Sequence, residues 1–388
     1  MAQIKDYPQQ TTLNNTDEFI LQETSGGVNK KVLFSTIKDQ IDTDTNTQRL
    51  VNYILNGDCK VAQETTSTAA AANGAYIIDN CRYNKVGTMV HTVSQEVDSD
   101  GNYSVKLDCT TADGSIAAGD NCTARFLVEG FDYAYLKGKT CTLSFDIKSD
   151  NKTGTFCTAF KNNGSDRSYI HEHEITTNDF ETKTVEVALD QTGGTENYTN
   201  DVGLQILFTL AAGSTFQSTA GSWQSGNYFA TSSQDNFCDN TSNNIEIKNV
   251  SLTIGSSANF DRDLVIKESF QETLAKCQRY WQSSYNYGVT PGTVTDVGRI
   301  DVKLPGATGA LRGLWANFQT VMVDTPTVTW YSPNSGTADR VYNITDTADL
   351  TVSSEVYTSD KSTGFPNVSV SQTDGDSICG HYVADARF

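Results

Sequence analysis

The alternation of apolar and polar residues along 49–255 is the feature that most constrains the fold of this chain. The run TCTLSFDIK at 140–148 is apolar at every second position, and the runs at 185–189 and 204–210 repeat the pattern. Since successive side chains of a strand point to opposite faces, each run predicts a half-buried antiparallel strand. Turns rich in Gly and Asn separate the runs. The segment therefore predicts an antiparallel β-sandwich of the jelly-roll type.

The last run of this segment contains an irregularity. Between 244 and 255 the apolar residues alternate as far as Ile247, and the alternation then shifts by one residue near Asn249. One extra residue in a strand is the signature of a β-bulge, so we predict a bulge at Asn249.

Residues 262–284 show a different period. Apolar residues here are separated by 4, 4, 3 and 4 positions, and they are Ile266, Phe270, Leu274, Cys277 and Trp281. This spacing places them on one face of a helix of about five turns. Strand-like runs then return, at 300–304, at 328–330 and in the terminal HYVADARF. They predict a second, smaller all-β domain.

The first 48 residues predict a small head. The runs EFILQE at 18–23 and VNKKVLF at 28–34 are strand-like, and Ser25-Gly26-Gly27 between them is a turn signal. Ser35 is a candidate cap for a short helix through Ile41, and 42–48 has no apolar residue, as is typical of a linker. The predicted organisation is a head and linker at 1–48, a sandwich at 49–255, a helical connector at 256–284 and a C-terminal β domain at 285–388.

Charge excludes several classes of partner. The chain has 388 residues, with 28 Lys and Arg against 47 Asp and Glu, which gives a net charge of −19. Such a chain repels phosphate, so we expect neither non-specific nucleic-acid binding nor association with anionic lipid. No apolar run approaches the roughly 18 residues of a membrane helix, and the N-terminus has no apolar core of a signal peptide. Synthesis in a cytosol is therefore expected, with binding through hydrogen bonds and ring stacking.

The cysteines argue against a disulfide framework or a zinc site. There are nine, an odd number, and no two form a C-x-x-C pair. Their irregular spacing predicts small buried hydrophobic side chains instead.

No motif for catalysis is present. The four histidines are accompanied by no G-x-S-x-G, P-loop or H-E-x-x-H sequence, and no pair of carboxylates has a defined spacing. We therefore expect no enzyme activity, no catalytic residue and no cofactor. A spike that degrades polysaccharide stays open as an alternative.

Two short polar runs could bind metal. On a strand, His171 and His173 would share a face, and a threefold axis could bring three such pairs to one transition metal. The simpler interpretation is an exposed polar strand. The acidic run from Glu96 to Asn102 resembles the start of a calcium loop but lacks the Glu at position twelve, so a hairpin turn at Asp100-Gly101 is favoured.

Aromatic residues among Gly, Ser and Asn are candidates for glycan binding, because a ring stacks on the apolar face of a sugar while amides bond its hydroxyls. The alternative is that each ring closes an edge of its own sheet. The candidates are Trp223, Tyr228, Tyr285, Tyr287, Trp330 and Tyr331.

Three stretches together resemble bacteriophage tail fibre proteins. The head, from TTLNNTDEF to STIKDQI, is similar to the N-terminal segment of many phage fibres. LNGDCKVAQ at 55–63, KGKTCTLSFDIKSD at 137–150 and IEIKNVSL at 245–252 resemble opening and closing strands of their carbohydrate-binding-module-like sandwich. LAKCQRYWQSSY at 274–285 and the terminal HYVADARF are the most specific part of the resemblance.

The resemblance implies a homotrimer in the virion, with the helix near the threefold axis. It also implies attachment to a tail or capsid protein through the head, and recognition of a host-surface glycan or receptor through the distal domains. The apolar residues of the two head strands are the candidate attachment residues: Phe19, Ile20, Leu21, Val32, Leu33 and Phe34. A capsid-attached head fibre or decoration protein is the alternative. Lys248 stands where such sandwiches carry an acidic residue, which departs from their structural calcium site.

Overall fold

A computed structural model of the chain describes residues 18–22, 29–33, 49–190, 192–303, 313–352, 357–365 and 376–388. These fall into two compact units, one of Met1–Leu50 with Asp261–Ile266 and one of Val51–Phe260 with Lys267–Phe388. In the part of the chain that is described, no helix has both the length and the apolarity to cross a bilayer.

The first unit contains the predicted hairpin of the head. Strands β1 (Glu18–Gln22) and β2 (Asn29–Leu33) pair antiparallel, with Phe19 opposite Val32. Both strand predictions are confirmed. The predicted helix after Ser35 and the linker lie outside the described residues. In the same unit, the backbone nitrogen of Leu50 donates to the carbonyl oxygen of Leu264, and its carbonyl oxygen accepts from the backbone nitrogen of Ile266. Leu264 is the last residue of a 3₁₀ helix at Arg262–Leu264.

The second unit begins with the predicted β-sandwich. Its strands are β3 (Ser67–Thr68), β4 (Tyr76–Ile78), β5 (Cys81–Val86), β6 (Val90–Val97), β7 (Tyr103–Thr111), β8 (Asn121–Glu129), β9 (Thr140–Asp150), β10 (Gly154–Asn162), β11 (Arg167–Ile175), β12 (Glu181–Ala188), β13 (Val202–Ala212), β14 (Trp223–Ser225) and β15 (Asn244–Ile254). Helix α1 (Gly130–Leu136) follows β8, and 3₁₀ helices lie at Ser214–Phe216 and Ser257–Asn259.

Two antiparallel sheets form the sandwich. One has seven strands in the order β14-β11-β10-β13-β8-β5-β4, and the other has six in the order β12-β9-β15-β7-β6-β3. The alternating apolar residues of both sheets meet in one buried core, where the ring of Phe208 packs edge-on against Phe126 and Phe145. The predicted all-β sandwich is therefore confirmed. The predicted bulge is also found, since the register of β15 against β9 shifts between Lys248 and Ser251 and Asn249 has φ of 53°.

The predicted opening strand at 55–63 is wrong. Asn56 and Cys59 have φ of 55° and 61°, a left-handed conformation that ends any strand. The side-chain nitrogen of Asn56 instead bonds to the carbonyl oxygens of Val61 and Asp79, each at 2.8 Å. The segment forms a turn at 55–58, and the mostly buried residues that follow it have no strand structure.

The predicted five-turn helix is also wrong in its length. Helix α2 runs only over Phe270–Cys277, and it begins at a capping box in which Ser269 and Glu272 bond to each other's backbone nitrogens. Trp281 lies on β16 (Trp281–Ser283), which pairs with the last strand of the chain. Tertiary strand pairing therefore overrides the helical spacing beyond Cys277.

A smaller β region completes the second unit. Its further strands are β17 (Ile300–Lys303), β18 (Trp315–Asn317), β19 (Thr327–Tyr331), β20 (Arg340–Asn343), β21 (Ala348–Thr351), β22 (Tyr357–Thr358), β23 (Ser362–Gly364) and β24 (Ser377–Asp385). The terminal HYVADARF run supplies the central strand β24, which pairs with β16, β17, β19 and β20. Around it lies a separate hydrophobic core that includes Leu314, Trp330 and Ile378.

The CQRYW stretch at 277–281 and the end of the terminal HYVADARF run join this region to the sandwich. Arg279 donates to Glu129 at 2.6 Å, and the hydroxyl of Tyr280 donates to the other oxygen of the same carboxylate. At the other motif, Arg387 pairs with Glu64 at 2.6 Å and lies 4.2 Å from the ring centroid of Tyr76. CQRYW and ADARF therefore act as docking segments.

Replacement of Glu129 by glutamine tests this docking. Glu129 is buried, and the change leaves Arg279 and Tyr280 with a neutral acceptor. Hydrogen bonds to a charged group contribute about 1.5–3 kcal/mol, so we expect Glu129→Gln to lower the free energy of unfolding by about 2 kcal/mol in urea titrations. The control is Glu268→Gln, which breaks an exposed pair with Lys276 and should cost less than about 0.5 kcal/mol. Equal losses in both variants would contradict the proposed role.

Candidate ligand-binding face

Three basic side chains gather on the outer face of the seven-stranded sheet. Arg82 on β5 lies directly opposite Arg125 on β8, and Lys161 on β10 lies opposite Gln205 on β13. Their strand neighbours, such as Tyr83, point into the core, and the alternation of a strand therefore turns these three outward.

The hydrogen-bond partners of Lys161 and Arg125 are neutral side chains. Lys161 is 2% exposed and donates to the Asn227 side-chain oxygen at 2.7 Å. Arg125 Nε lies 2.9 Å from the Thr123 hydroxyl, and its Nη1 lies 3.5 Å from the Gln205 amide oxygen. Arg82 donates to the backbone oxygen of Phe388 at 3.1 Å, while its Nε is buried without a partner. Among the described residues no side-chain carboxylate of Asp or Glu forms an ion pair with any of the three cations.

This environment disfavours positive charge. Burial, aided by the charge of Arg125, lowers the pKa of Lys161 to about 7. Burial likewise lowers the pKa of Arg125 to about 10, with Arg82 acting in the same direction. Desolvated cations that repel one another gain most from an anion brought among them. The surface around Arg82, Arg125 and Lys161, here called the basic face, is therefore suited chemically to an acidic ligand.

Two covered regions border the basic face. On one side, the loop at 213–243 packs Phe229 and Ala230 onto outward residues of the sheet such as Leu207 and Ile170. On the other side, the hydroxyl of Tyr76 bonds to the backbone oxygen of Phe388 at 2.9 Å. Between them, Arg125 and Gln205 keep part of their surface exposed.

Two of the six predicted aromatic residues are buried. Trp330 is 1% exposed in the C-terminal core, and Tyr285 is 6% exposed with its ring stacked on His381 at 4.0 Å. Neither ring has a face available to a sugar, so the stacking predicted for these two is wrong. Their Ser- and Asn-rich neighbours belong to turns that close over a core.

The other four aromatic residues keep exposed surface. Trp223 closes a sheet edge, because its indole nitrogen donates to the backbone oxygen of Ala188 at 2.7 Å. Tyr287 is 46% exposed, and its hydroxyl accepts from the backbone nitrogen of Ala62 at 2.9 Å. Tyr228 and Tyr331 are half-buried. Only Tyr228 lies beside the basic face, next to Phe229 in the bordering loop, and its sugar-binding role stays a prediction, as do those of Trp223, Tyr287 and Tyr331.

His171 and His173 share a face of β11, as predicted, but it is the inner face. Their ring centroids are 4.7 Å apart, and His173 packs edge-on against Phe145 of the opposite sheet. The Nε2 atom of His173 is 2.9 Å from the Thr158 hydroxyl. A threefold axis between chains cannot bring three buried His173 side chains to one metal, so that part of the prediction is wrong.

The remaining candidates have different outcomes. The acidic run forms the favoured hairpin turn, in which Asp98 accepts from the backbone nitrogens of Asp100 and Asn102. Phe34 lies outside the described residues. For the other head candidates only the backbone of β1 and β2 is described, so virion attachment stays a prediction.

The basic face was not predicted from the sequence. Arg82, Arg125 and Lys161 each occupy a polar position of an alternating run, so their outward direction is visible in the sequence. Their proximity is not, because it depends on β13, a strand distant in sequence, lying between β8 and β10. The feature of the sequence that could have indicated it is the presence of arginines at outward strand positions of an acidic chain.

Comparisons with known proteins give similarity of structure alone. No family model matches the chain, and no curated protein matches it. Among solved structures, CBM4 is 15% identical over 52% of this chain and 99% of that chain, with a TM-score of 0.28. The enzymatically active domain of tailspike protein 4 from bacteriophage CBA120 is 14% identical over 48% of this chain and 21% of that chain, with a TM-score of 0.27. The family 11 carbohydrate-binding module from Clostridium thermocellum is 11% identical over 50% of this chain and 97% of that chain, with a TM-score of 0.26. At these values the similarity assigns neither a ligand nor an activity.

Proposed function

We propose that this chain is a phage tail fibre that recognises the host surface by binding an acidic glycan without cleaving it. The single observation that supports the ligand class is the basic face, where burial lowers the pKa of Arg125 and Lys161 and their hydrogen-bond partners are neutral side chains. The resemblance of the head, CQRYW and HYVADARF stretches to phage fibres supports the role in the virion.

The chemistry of the basic face matches a sugar that carries a carboxylate, sulfate or phosphate. Arg125 presents a planar fork of donors that such an anion accepts in pairs. Gln205 and Asn227 offer amide groups for sugar hydroxyls, and Tyr228 offers part of a ring. An ionic contact of this kind differs from the expectation drawn from composition alone, which was binding through hydrogen bonds and stacking.

The remaining features of the proposal concern assembly. Three chains would form the fibre, and the head would dock on a tail protein. We expect light scattering to give three times the mass of one chain, and antibody labelling to place the protein on the tail of intact particles. Labelling confined to the capsid shell would support the head-fibre alternative. Release of new reducing ends from host polysaccharide would contradict the non-catalytic proposal.

The ligand is tested by replacing Arg125 with glutamine. This change removes the guanidinium and leaves a shorter, neutral polar side chain on β8. A charge-assisted hydrogen bond contributes about 1.5–3 kcal/mol, so the Kd for an acidic polysaccharide fragment should rise by about 10- to 100-fold in calorimetric titrations. Binding of wild-type protein should also weaken as salt is added.

Lys106→Gln is the matched control. Lys106 lies on β7, on the outer face of the other sheet, and its loss changes the net charge by the same amount. A general electrostatic effect would weaken binding equally in both variants, whereas a site at the basic face requires a large loss only in Arg125→Gln. Tight binding that neither variant reduces would place the glycan elsewhere.

A further inference from the structure

A buried cluster of thiols and one imidazole lies at one end of the sandwich core. His91 comes from β6, Cys109 from β7, Cys122 from β8 and Cys238 from the loop at 213–243, and each is at most 1% exposed. The possible ligand atoms of His91, Cys122 and Cys238 all lie within 4.8 Å of one another. Three consecutive strands and one distant loop thus converge on one point.

The distances within the cluster fit a single tetrahedral ion. Cys238 Sγ is 3.8 Å from His91 Nε2, and one ligand atom from each of His91, Cys122 and Cys238 lies within 4.8 Å of the other two. Ligand atoms bound to Zn²⁺ at about 2.3 Å for sulfur and 2.0 Å for nitrogen are separated by about 3.5–3.8 Å in a tetrahedron. The side chains therefore need only small adjustments to reach one metal.

The imidazole is already oriented as a ligand. His91 Nδ1 is 2.8 Å from the hydroxyl of Tyr83, which is itself buried. A histidine that binds metal through one nitrogen usually gives the other to a polar partner, which fixes its tautomer and ring angle. With Nδ1 engaged by Tyr83, Nε2 is directed at Cys238, and a thiol at 3.8 Å is a weak partner for a buried nitrogen.

Cys109 is the candidate for the fourth ligand. Its thiol lies 3.4 Å from the backbone oxygen of Thr111 and 3.8 Å from that of Cys238. It is not among the three residues whose ligand atoms lie within 4.8 Å of one another, so its side chain would have to turn to reach the ion. Three thiols and one imidazole form a soft donor set that Zn²⁺ occupies in closed structural sites.

We propose that His91, Cys109, Cys122 and Cys238 form a structural Zn²⁺ site. The ion would join the six-stranded sheet, through β6 and β7, to the seven-stranded sheet, through β8, and would fix the loop at 213–243 to both. This inference is independent of the proposed glycan binding, since it depends only on the buried cluster. It also differs from the expectation, drawn from the cysteine spacing, that the chain has no zinc site. The four residues come together because the two sheets pack face to face, which the spacing does not show.

The first test is the metal content of the full-length wild-type protein. Purified protein incubated with excess Zn²⁺ and dialysed should hold about one Zn²⁺ per chain by mass spectrometry of metals. Loading with Co²⁺ should give the absorption bands of tetrahedral thiolate coordination. Less than about a tenth of an equivalent of zinc, or a Cys122–Cys238 disulfide in metal-free protein, would overturn the proposal.

Matched cysteine variants locate the ion. Cys122→Ser and Cys238→Ser should each lose the bound zinc, while Cys379→Ser should keep it. Cys379 is equally buried but lies in the C-terminal region, away from the cluster. A chelator should lower the melting temperature of wild type and of Cys379→Ser by the same amount. If the ligand variants fail to fold, these two proteins still decide the question, since an unchanged melting temperature in both would contradict a structural ion.

Discussion

Replacement of Trp330 by alanine is expected to destabilise the protein by about 3–5 kcal/mol, the usual cost of removing a large buried ring. The indole packs edge-on against Phe365, with ring centroids 5.1 Å apart, and at a tilt against Tyr382, with ring centroids 5.8 Å apart. It lies on β19 directly opposite Tyr382 of the central strand β24. The alanine variant leaves a cavity where these strands meet.

Trp330→Phe separates the loss of volume from the loss of the polar group. The indole nitrogen is buried without a hydrogen-bond partner, and this unmet demand costs about 1–3 kcal/mol. Phenylalanine removes the nitrogen and keeps much of the apolar surface, so we expect it to lose far less stability than alanine. Trp315→Ala is the exposed control, because Trp315 is 50% exposed and its ring stacks on that of Tyr357.

Urea unfolding followed by circular dichroism measures these free energies. The same variants also test the sequence prediction that Trp330 binds glycan. A buried structural ring predicts loss of stability with unchanged affinity per folded molecule. A Trp330→Ala variant as stable as wild type, or one that folds normally and no longer binds glycan, would contradict the placement of this ring in the core.

The sandwich could be predicted because a strand exposes its period directly. The inward residues Cys141, Leu143, Phe145 and Ile147 of β9 are all fully buried, as their alternation indicates. The slip at Asn249 was visible for the same reason. These features depend on the alternation of side chains along a single strand, and this alternation can be seen directly in the sequence.

Long-range pairing could not be predicted. Trp281 continues a helical spacing, yet it forms a strand because the terminal run is available to pair with it. The capping signal Ser269-x-x-Glu272 was present and would have fixed the start of α2. The basic face and the thiol cluster were hidden for one physical reason, which is that each is assembled from strands whose order in the sheets is not written in any local pattern.

Acid is expected to destabilise the protein through His173. This side chain is 8% exposed between the two sheets, and burial, aided by the charges of His171 and Lys183, lowers its pKa to about 3. The unfolded chain takes up the proton near pH 6.5, and the folded chain does not until about pH 3. The free energy of unfolding is therefore unaffected by His173 well above pH 6.5. It decreases as the pH falls from about 6.5 to 3, by up to about 4–5 kcal/mol.

Other groups titrate in the same range, so the effect must be measured as a difference. Burial raises the pKa of Asp79 to about 6, which stabilises the folded state as the pH falls from 6 towards 4 and opposes His173. His173→Gln keeps a polar contact to the Thr158 hydroxyl and cannot take a proton. Subtracting the unfolding free energies of wild type from those of this variant cancels Asp79 and every other shared group.

The expected difference is a variant that is less stable than wild type or equal to it at pH 7.5 and gains on wild type as the pH falls. Below pH 6.5 the slope of the relative gain should approach about 1.4 kcal/mol per pH unit, which gives about 2.3 kcal/mol between pH 6.5 and 4.5. His171→Gln is the matched control, because His171 is half-buried and burial lowers its pKa in the same direction but with solvent access. It should give a clearly smaller gain. A stability difference between His173→Gln and wild type that stays constant from pH 7.5 to 4.5 would contradict this prediction. It would mean that His173 takes up its proton as readily in the folded protein as in the unfolded chain, and the inner face of β11 would then have to be open to water.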